Sequence, residues 1–347
     1  MPRLKDEAMD CVIYLYPTVS SAEKGVAAGG TGLLVAIPSK EMPDTGSYTY
    51  AITNSHVIKG PSPVIRLKGK EGGHVIVDTS VDDWVHHPAG DDVAACAINL
   101  PKTARFGWIK NHMWATKELV ERHNIGPGDD VCMIGRFINH EGKEKNIPTV
   151  RFGNISMMPW EPIENSTGAM QDSYLIECRS LPGYSGSPVF VYESAIHLGS
   201  PRKERMPFLL LGIDWCHPAN FQKVMERDGK TPVPGGWKVD TNSGMAGVIP
   251  AWKIQELLEG EPFVTQRRES EKRIAERKNS ATVALDVAEP HDESFTKEDF
   301  ENALKRASRR IQPSPPDEGK SGTQARYRAD GCSGKHIHRG SFVETFD

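Results

Sequence analysis

The feature of this chain that most constrains its fold is a long series of short, strand-like runs. Between residues 11 and 98 the runs are apolar or alternate between apolar and polar residues, and glycine, proline and asparagine interrupt them. Runs bounded in this way are typical of β-strands. They lie at 11–16, 31–37, 48–53, 63–67, 74–77 and 93–98. Because little helical periodicity separates them, we predict an antiparallel barrel or sandwich.

A second set of strand-like runs follows a looser stretch between residues 101 and 124. These runs lie at 130–134, 150–157, 174–178, 187–192, 208–215 and 245–249. Apolar residues then recur at helical spacing between Pro250 and Gly260, which predicts a short closing helix. We therefore predict an all-β protein with two six-stranded antiparallel β-barrels, one over residues 10–120 and one over residues 121–260.

The composition changes after residue 260. The segment 261–347 begins with a charged stretch that lacks an apolar face and continues with residues rich in proline, glycine and polar side chains, which predicts a largely disordered tail. One amphipathic helix is predicted near 296–311, and a solvated or loosely docked helix is favoured over one that binds a regulatory partner. Cys332, His336 and His338 are too few ligands in too polar a tail for us to predict a metal site.

Composition and charge exclude several classes of function. The 347 residues carry a formal net charge of −4, whereas proteins that track nucleic acid usually have a basic excess. No run approaches the length of a membrane span, and the N-terminus lacks an apolar signal core. The six cysteines are widely spaced and several lie in apolar runs, so we interpret them as buried free thiols in a cytoplasmic, reducing compartment. A disulfide pair remains an alternative.

A serine on a glycine-rich turn is the first candidate for chemistry. Residues 181–190 read LPGYSGSPVF. Gly183 and Gly186 permit backbone conformations that other residues resist, which leaves the Ser185 hydroxyl exposed at the turn. The N–H groups of Gly183 and Ser185 then point the same way, as stabilisation of a tetrahedral oxyanion requires.

A nucleophilic serine needs an imidazole to accept its proton and a carboxylate to orient that imidazole. His56 is the favoured base, because it lies where an apolar strand ends and a turn begins. Asp92 is the favoured carboxylate, because it opens an apolar run and should be half-buried. The alternatives are Asp91 for the carboxylate, and His86 and His87 for the base, all of which look like surface residues.

In chain order these motifs resemble those of the chymotrypsin-like serine proteases with the trypsin fold. The similarity is greatest to the bacterial branch that contains the high-temperature-requirement and glutamyl endopeptidase families. The motifs are TNSHV at 53–57, DVA at 92–94 and PGYSGSPV at 182–189. Supporting stretches match in the same order: GTGLLV at 30–35, GDDV at 128–131, GNIS at 153–156, LGI at 211–213 and GMAGVIP at 244–250. The resemblance covers residues 10 to 260.

The resemblance implies two perpendicular barrels with a catalytic triad in the cleft between them. Ser185 would be the nucleophile, His56 the general base and acid, and Asp92 the orienting carboxylate. The N–H groups of Gly183 and Ser185 would form the oxyanion hole, and no cofactor is implied. Tyr184 stands where digestive members have an aspartate, so the sequence leaves open what orders the oxyanion hole. No appended peptide-binding module follows Gly260.

The resemblance also locates the primary substrate pocket near Arg179, Asp214 to His217, and Ser243 with Gly244. Arg179 or His217 would favour an acidic substrate side chain, whereas Asp214 would favour a basic one. An Arg179–Asp214 ion pair without a direct role is an equally good interpretation, so we predict no side-chain preference.

The leading functional hypothesis is an intracellular serine endopeptidase that acts on proteins or peptides. A catalytically silent, protein-binding scaffold is the alternative, and an esterase with the same triad is a third reading.

Overall fold

We describe the fold from a computed structural model of the chain. The structure describes residues 4, 6–137, 140, 142–165, 167–193, 206–218, 220–227, 230–286 and 343–344. The predicted helix near 296–311 and the residues Cys332, His336 and His338 lie outside these ranges.

The N-terminal half of the chain forms a mainly antiparallel sheet. Its strands are β1 (Val12–Tyr16), β2 (Gly30–Pro38), β3 (Gly46–Thr53), β4 (Val64–Gly69), β5 (His74–Val77), β6 (Val85–His86), β7 (Ala94–Ala97), β8 (Ala104–Arg105) and β9 (Ile109–Lys110). The order across the sheet is β5-β4-β1-β2-β3-β7-β6, with β8 against β4 and β9 parallel to β2. All six strand-like runs predicted for this half are strands.

This sheet does not confirm the predicted barrel over residues 10–120. Its path ends at β5 on one side and at β6 on the other, and the described residues contain no pairing that joins these two strands. β6 has only two paired residues, Val85 and His86, and both pair with β7. That barrel therefore stays a prediction.

The C-terminal half contains one closed barrel, as predicted. Its strands are β10 (Asp130–Gly135), β11 (Thr149–Met157), β14 (Tyr174–Glu177), β15 (Pro188–Val191), β16 (Leu209–Cys216) and β19 (Met245–Pro250), in the order β10-β11-β14-β19-β16-β15. Two hairpins interrupt the barrel sequence: β12 (Ile163–Glu164) with β13 (Met170–Gln171), and β17 (Phe221–Lys223) with β18 (Lys238–Asp240). The final strand, β20 (Val343–Glu344), pairs with β3.

The helices are few and mostly short. They are α1 (Val19–Lys24), α2 (Ser55–Lys59), α3 (Lys117–Arg122), α4 (Ala251–Glu259) and α5 (Phe263–Asp286), and single 3-10 turns cover Asp6–Met9, Val81–Asp83 and Asn111–Met113. α4 is the predicted closing helix, and its apolar side chains at 252, 254, 257 and 258 are buried. No helix among the described residues is both long enough and apolar enough to cross a membrane.

Alternation along the strands builds the core on both faces of the sheet. Ile13 and Leu15 of β1 pack with the interior of the N-terminal sheet, whereas Tyr14 and Tyr16 pack in a second cluster with residues of the barrel, α4 and Phe263. β1 is therefore buried along its whole length. A third cluster fills the barrel interior. Burial on both faces explains why the β1 run is continuously apolar rather than alternating with polar residues.

The compact unit that contains both sheets extends to Lys272 and includes residues 340–347; residues 273–339 form a separate unit. The first turns of α5 belong to the first unit, although the sequence predicts only a charged stretch there. Phe263 is 1 % exposed and packs edge-on against the Tyr50 ring at 5.2 Å between centroids. The division of the chain into barrel domains near residue 120, and the tail from 261, stay predictions.

Candidate active site

His56 lies in the first turn of α2, immediately after β3, and Asp92 lies just before β7. β3 and β7 are neighbours, with Thr53 opposite Ala94, so the pairing brings the two residues together. The His56 Nδ1 atom is 2.6 Å from Asp92 Oδ2, and the His56 backbone N–H donates to Asp92 Oδ1 at 2.8 Å. One carboxylate thus fixes both the backbone and the ring of the histidine.

The carboxylate is buried more deeply than the sequence predicts. Asp92 is 2 % exposed, and its backbone is held by two amide side chains. Gln171 Oε1 accepts from the Asp92 N–H at 2.9 Å, and Asn54 Nδ2 donates to the Asp92 carbonyl at 2.9 Å. Gln171 was not a candidate in the sequence analysis, because it belongs to a two-residue strand about 80 positions away from Asp92.

The competing residues have separate partners. His87 Nδ1 lies 2.9 Å from Asp91 Oδ2, and the Lys253 ammonium lies 3.4 Å from the same oxygen. Burial raises the pKa of Asp91, but contact with His87 and Lys253 outweighs it and leaves this pKa below its usual value. His86 touches the site indirectly, because its Nδ1 atom is 2.9 Å from the Ser55 hydroxyl. Neither Asp91 nor His87 hydrogen bonds to His56 in the described chain.

One cluster has the spacing of a cation site. Ligand atoms of His87, Asp91 and Glu256 lie within 4.8 Å of one another. The Lys253 ammonium already lies 3.1 Å from Glu256 Oε2 and 3.4 Å from Asp91 Oδ2. A charged amine therefore supplies the positive charge that these carboxylates require, and the arrangement needs no metal ion.

The serine turn begins with a four-residue β-turn, Leu181 to Tyr184, in which the Tyr184 N–H donates to the Leu181 carbonyl at 3.1 Å. Pro182 and Gly183 occupy its central positions, and Gly183 has φ +96°, as a type II turn requires. The Ser185 carbonyl accepts from the Thr31 N–H at 2.8 Å. Among the described hydrogen bonds, neither the Gly183 N–H nor the Ser185 N–H is a donor.

The histidine and serine turns meet at Gly30. A Cβ atom on Gly30 would lie 2.8 Å from Val57 Cγ2, next to His56, and 3.3 Å from the Ser185 carbonyl oxygen. Only glycine allows both turns to approach β2 this closely. The described hydrogen bonds do not include one between Ser185 Oγ and the His56 ring. Contacts of this kind are often long before substrate binds.

The side chain of Tyr184, the residue between Gly183 and Ser185, is held in place by contacts with the barrel. Its ring is fully buried, and its hydroxyl contacts Thr149 Oγ1 at 2.5 Å and Arg151 Nε at 2.8 Å. The Arg151 guanidinium also lies over the tyrosine ring, 4.8 Å from its centroid. Both partners come from β11, so the residue before Ser185 is anchored in the barrel wall.

Asp214, a predicted pocket residue, is hydrogen bonded through its backbone to the serine turn. The Gly186 N–H donates to its carbonyl at 2.8 Å, and its own N–H donates to the Ser187 carbonyl at 2.9 Å. The side chain is fully buried; Ser180 Oγ donates to Oδ2 at 2.8 Å, and Oδ1 has no hydrogen-bond partner. Burial raises the pKa of Asp214 to about 7, against the opposing effects of the Ser180 hydrogen bond and the His56 charge.

The other predicted pocket residues do not converge on Asp214. Arg179 is exposed, and the described ion pairs do not include an Arg179–Asp214 pair, so that interpretation was wrong. His217 and Gly244 are partly exposed, while Ser243 is exposed and its hydroxyl donates to the Pro218 carbonyl at 3.3 Å. The sequence analysis missed Ser180 and Asn242, whose Nδ2 donates to the Ser180 carbonyl at 2.6 Å.

The cysteines carry no chemistry at this site. Cys11, Cys96, Cys132, Cys178 and Cys216 are free thiols, so the alternative of a disulfide among them was wrong. Burial raises the pKa of each to about 12, which disfavours the nucleophilic thiolate.

Comparisons with known proteins give no match to a family model and no match among curated proteins. Among solved structures, the chain is similar to the MamO protease domain from Magnetospirillum magneticum, with 16% identity and a TM-score of 0.42, over 73% of this chain and 97% of that one. It is similar to the HtrA-type protease AlgW, with 17% identity and a TM-score of 0.37, over 67% of this chain and 51% of that one. It is also similar to Rv3671c protease in an inactive form, with 15% identity and a TM-score of 0.37, over 72% of this chain and 88% of that one. Each of these three solved structures is of a protease, and AlgW is of the HtrA type.

Proposed function

We propose that this chain is a serine endopeptidase whose nucleophile is Ser185. The observation that carries the proposal is that one buried carboxylate holds one histidine at two points. Asp92 accepts from the His56 backbone N–H at 2.8 Å and contacts the Nδ1 atom of its ring at 2.6 Å. The ring itself is about one-third exposed, at 35%. A histidine held so firmly on one side and open to solvent on the other is arranged to move protons.

In the proposed reaction, Asp92 determines which ring nitrogen of His56 is free. A carboxylate only accepts hydrogen bonds, so Nδ1 carries the proton and Nε2 is the base. Ser185 Oγ attacks the carbonyl carbon of the substrate while its proton passes to Nε2. His56 then gives that proton to the leaving amine, and water releases the acyl group from Ser185 by the same steps in reverse.

The proposed oxyanion hole consists of the N–H groups of Gly183 and Ser185. Support comes from the absence of any hydrogen bond from either group within the described chain. Donors that are already aligned and unoccupied stabilise the developing negative charge without reorganisation. The reaction requires no cofactor. The five free cysteines, four of which are buried, fit the proposed cytoplasmic compartment, and a regulatory partner for the tail remains part of the proposal.

A fluorophosphonate probe tests this function directly, because it labels only an activated serine. We expect the wild type to be labelled at residue 185 and the Ser185→Ala variant not to be labelled. The His56→Ala variant should lose peptide turnover by roughly 10⁴- to 10⁶-fold. Absence of labelling in a folded wild type would exclude the proposed nucleophile.

A catalytically silent scaffold is the second candidate, and one observation favours it. No hydrogen bond joins Ser185 Oγ to the His56 ring among those described. The probe separates the two candidates, since a scaffold gives equal signals for the wild type and Ser185→Ala. Parallel assays with matched peptide amides and esters separate an endopeptidase from an esterase.

A further inference from the structure

The inference concerns Arg136, a buried arginine beside the serine turn that the sequence analysis does not single out. It rests on the proposed function, because it concerns the proposed oxyanion hole. Arg136 is 4 % exposed and follows β10 directly. A charged side chain in such a place requires specific surroundings, because burial of a charge without compensation is costly.

The end of β10 is pressed against the serine turn. A Cβ atom on Gly135 would lie 2.0 Å from Ser187 Oγ and 2.9 Å from Tyr184 Cδ1. Neither distance is sterically possible, so glycine at residue 135 permits a close approach that no other residue allows. Arg136, the next residue, therefore lies next to the Gly183 peptide.

The backbone of Arg136 reaches Gly183 through one hydroxyl. The Arg136 N–H donates to Thr31 Oγ1 at 3.1 Å, and that hydroxyl donates to the Gly183 carbonyl at 2.8 Å. The Thr31 N–H also donates to the Ser185 carbonyl at 2.8 Å. Thr31 thus joins β10, β2 and the serine turn.

The guanidinium of Arg136 contacts the same glycine. A Cβ atom built on Gly183 would lie 2.5 Å from Arg136 Nη2 and 3.0 Å from both Cζ and Nε. The arginine therefore fills the space that a side chain would occupy at residue 183. Glycine has little conformational preference of its own, so its orientation must be imposed by its neighbours.

We propose that Arg136 is a positioning residue that holds the Gly183 N–H in the direction required of an oxyanion-hole donor. The flat guanidinium blocks one side of the Gly183 Cα, and the Thr31 hydroxyl restrains the carbonyl. The positive charge also lies near the place where the oxyanion forms, and therefore favours the transition state over the neutral substrate. Arg136 itself does not touch the reacting atoms.

The kinetic test uses Arg136→Gln and a matched control, Arg267→Gln. Arg267 is also a partly buried arginine, bonded to the Tyr50 hydroxyl and the Leu258 carbonyl away from the serine turn. We expect Arg136→Gln to lower kcat about 10- to 100-fold with KM changed by about 2-fold at most. The inhibition constant of a peptide boronate, which forms a tetrahedral adduct, should weaken in parallel. Arg267→Gln should leave both quantities within about 2-fold.

Two further variants separate charge from shape. Arg136→Lys keeps the charge but not the planar guanidinium, and we expect it to recover only part of kcat. Thr31→Val removes the hydroxyl with little change in shape, and we expect a loss of kcat similar to that of Arg136→Gln. Unchanged kcat and boronate binding in folded Arg136→Gln would overturn the inference.

Hydrogen exchange keeps this test independent of activity. The Tyr184 N–H bonds to the Leu181 carbonyl inside the turn, so its exchange rate reports how firmly the turn is held. We expect faster exchange at Tyr184 in Arg136→Gln than in Arg267→Gln. Unchanged exchange refutes the positioning role even if the wild type cleaves peptides. Lack of probe labelling with altered exchange refutes the proposed function and retains the positioning role.

Discussion

The histidine turn and the serine turn are held by different kinds of contact. Around His56, neutral amide and hydroxyl side chains hold the backbone: Asn54, Ser55 and Gln171 all bond to backbone groups of residues 92 and 93. Around Ser185, the supports are buried ionisable groups, with Asp214 behind the turn and Arg136 beside it. Both arrangements leave buried polar atoms without a hydrogen-bond partner: Asn54 Oδ1 and Gln171 Nε2 near His56, and Asp214 Oδ1 near Ser185.

This difference between the side chains that hold the two turns indicates which turn changes with pH. Amide and hydroxyl side chains do not titrate near neutral pH, whereas burial raises the pKa of Asp214 to about 7. We infer that the backbone of the histidine turn is the fixed part of the site and that the serine turn adjusts to the ionisation of Asp214.

The largest expected effect tests the fixed half. We expect Asp92→Asn to lower kcat by roughly 10⁴-fold, because an amide no longer selects the ring tautomer of His56. Asp91→Asn is the matched control, since it removes the adjacent carboxylate, which bonds to His87 rather than to His56. Its kcat should stay within a few-fold of the wild type. Equal losses in the two variants would mean that the two carboxylates do not have distinct roles.

The next effect tests the adjustable half through stability. The pKa of Asp214 is raised on folding from 3.8 to about 7, so the folded state binds the proton more tightly than the unfolded state. Stability contributed by the protonated carboxyl is therefore lost as pH rises from about 4 to 7. We expect Asp214→Asn to be more stable than the wild type at pH 8, by up to about 4 kcal/mol, with the difference shrinking towards pH 4.

Urea unfolding at several pH values measures this difference, and Asp91 again provides the contrast. The pKa of Asp91 is lowered, so its carboxylate contributes stability that is present above pH 4 and lost as pH falls. Asp91→Asn should therefore be less stable than the wild type at neutral pH. A pH-independent difference for Asp214→Asn would contradict the assignment of a protonated carboxyl behind the nucleophile.

The smallest expected effect concerns the C-terminal end of the compact unit that contains both sheets, rather than either turn. A chain that ends at Lys272 retains the buried Phe263 and the contacts of Glu271 with the backbone N–H groups of Lys40 and Glu41. A chain that ends at Gly260 loses both. We expect the shorter chain to be less stable by about 2–3 kcal/mol, since burial of one phenylalanine contributes about that much. Equal unfolding midpoints would show that α5 adds nothing to the unit.

Local patterns predicted much of the secondary structure because strands and turns depend on neighbouring residues. The run at 74–77 matches β5 residue for residue, and the closing helix begins and ends where Pro250 and Gly260 indicate. The start of α5 was missed because its apolar contribution is concentrated in Phe263, while the rest of the docked segment is charged. Arg267 and Glu271 bind the unit through polar groups, which hydrophobic periodicity does not detect.

By itself, the sequence determined the strand-rich architecture, the glycine-bearing serine turn, and a histidine and an aspartate as its candidate partners, because short-range patterns and a resemblance in motif order carry that information. Only the tertiary structure decided that Asp214 is buried without an ion pair to Arg179, that Gln171 binds the Asp92 backbone and that Arg136 lies against Gly183. These outcomes depend on contacts between residues tens of positions apart. Such contacts leave no periodic trace along the chain, because packing rather than local propensity selects them.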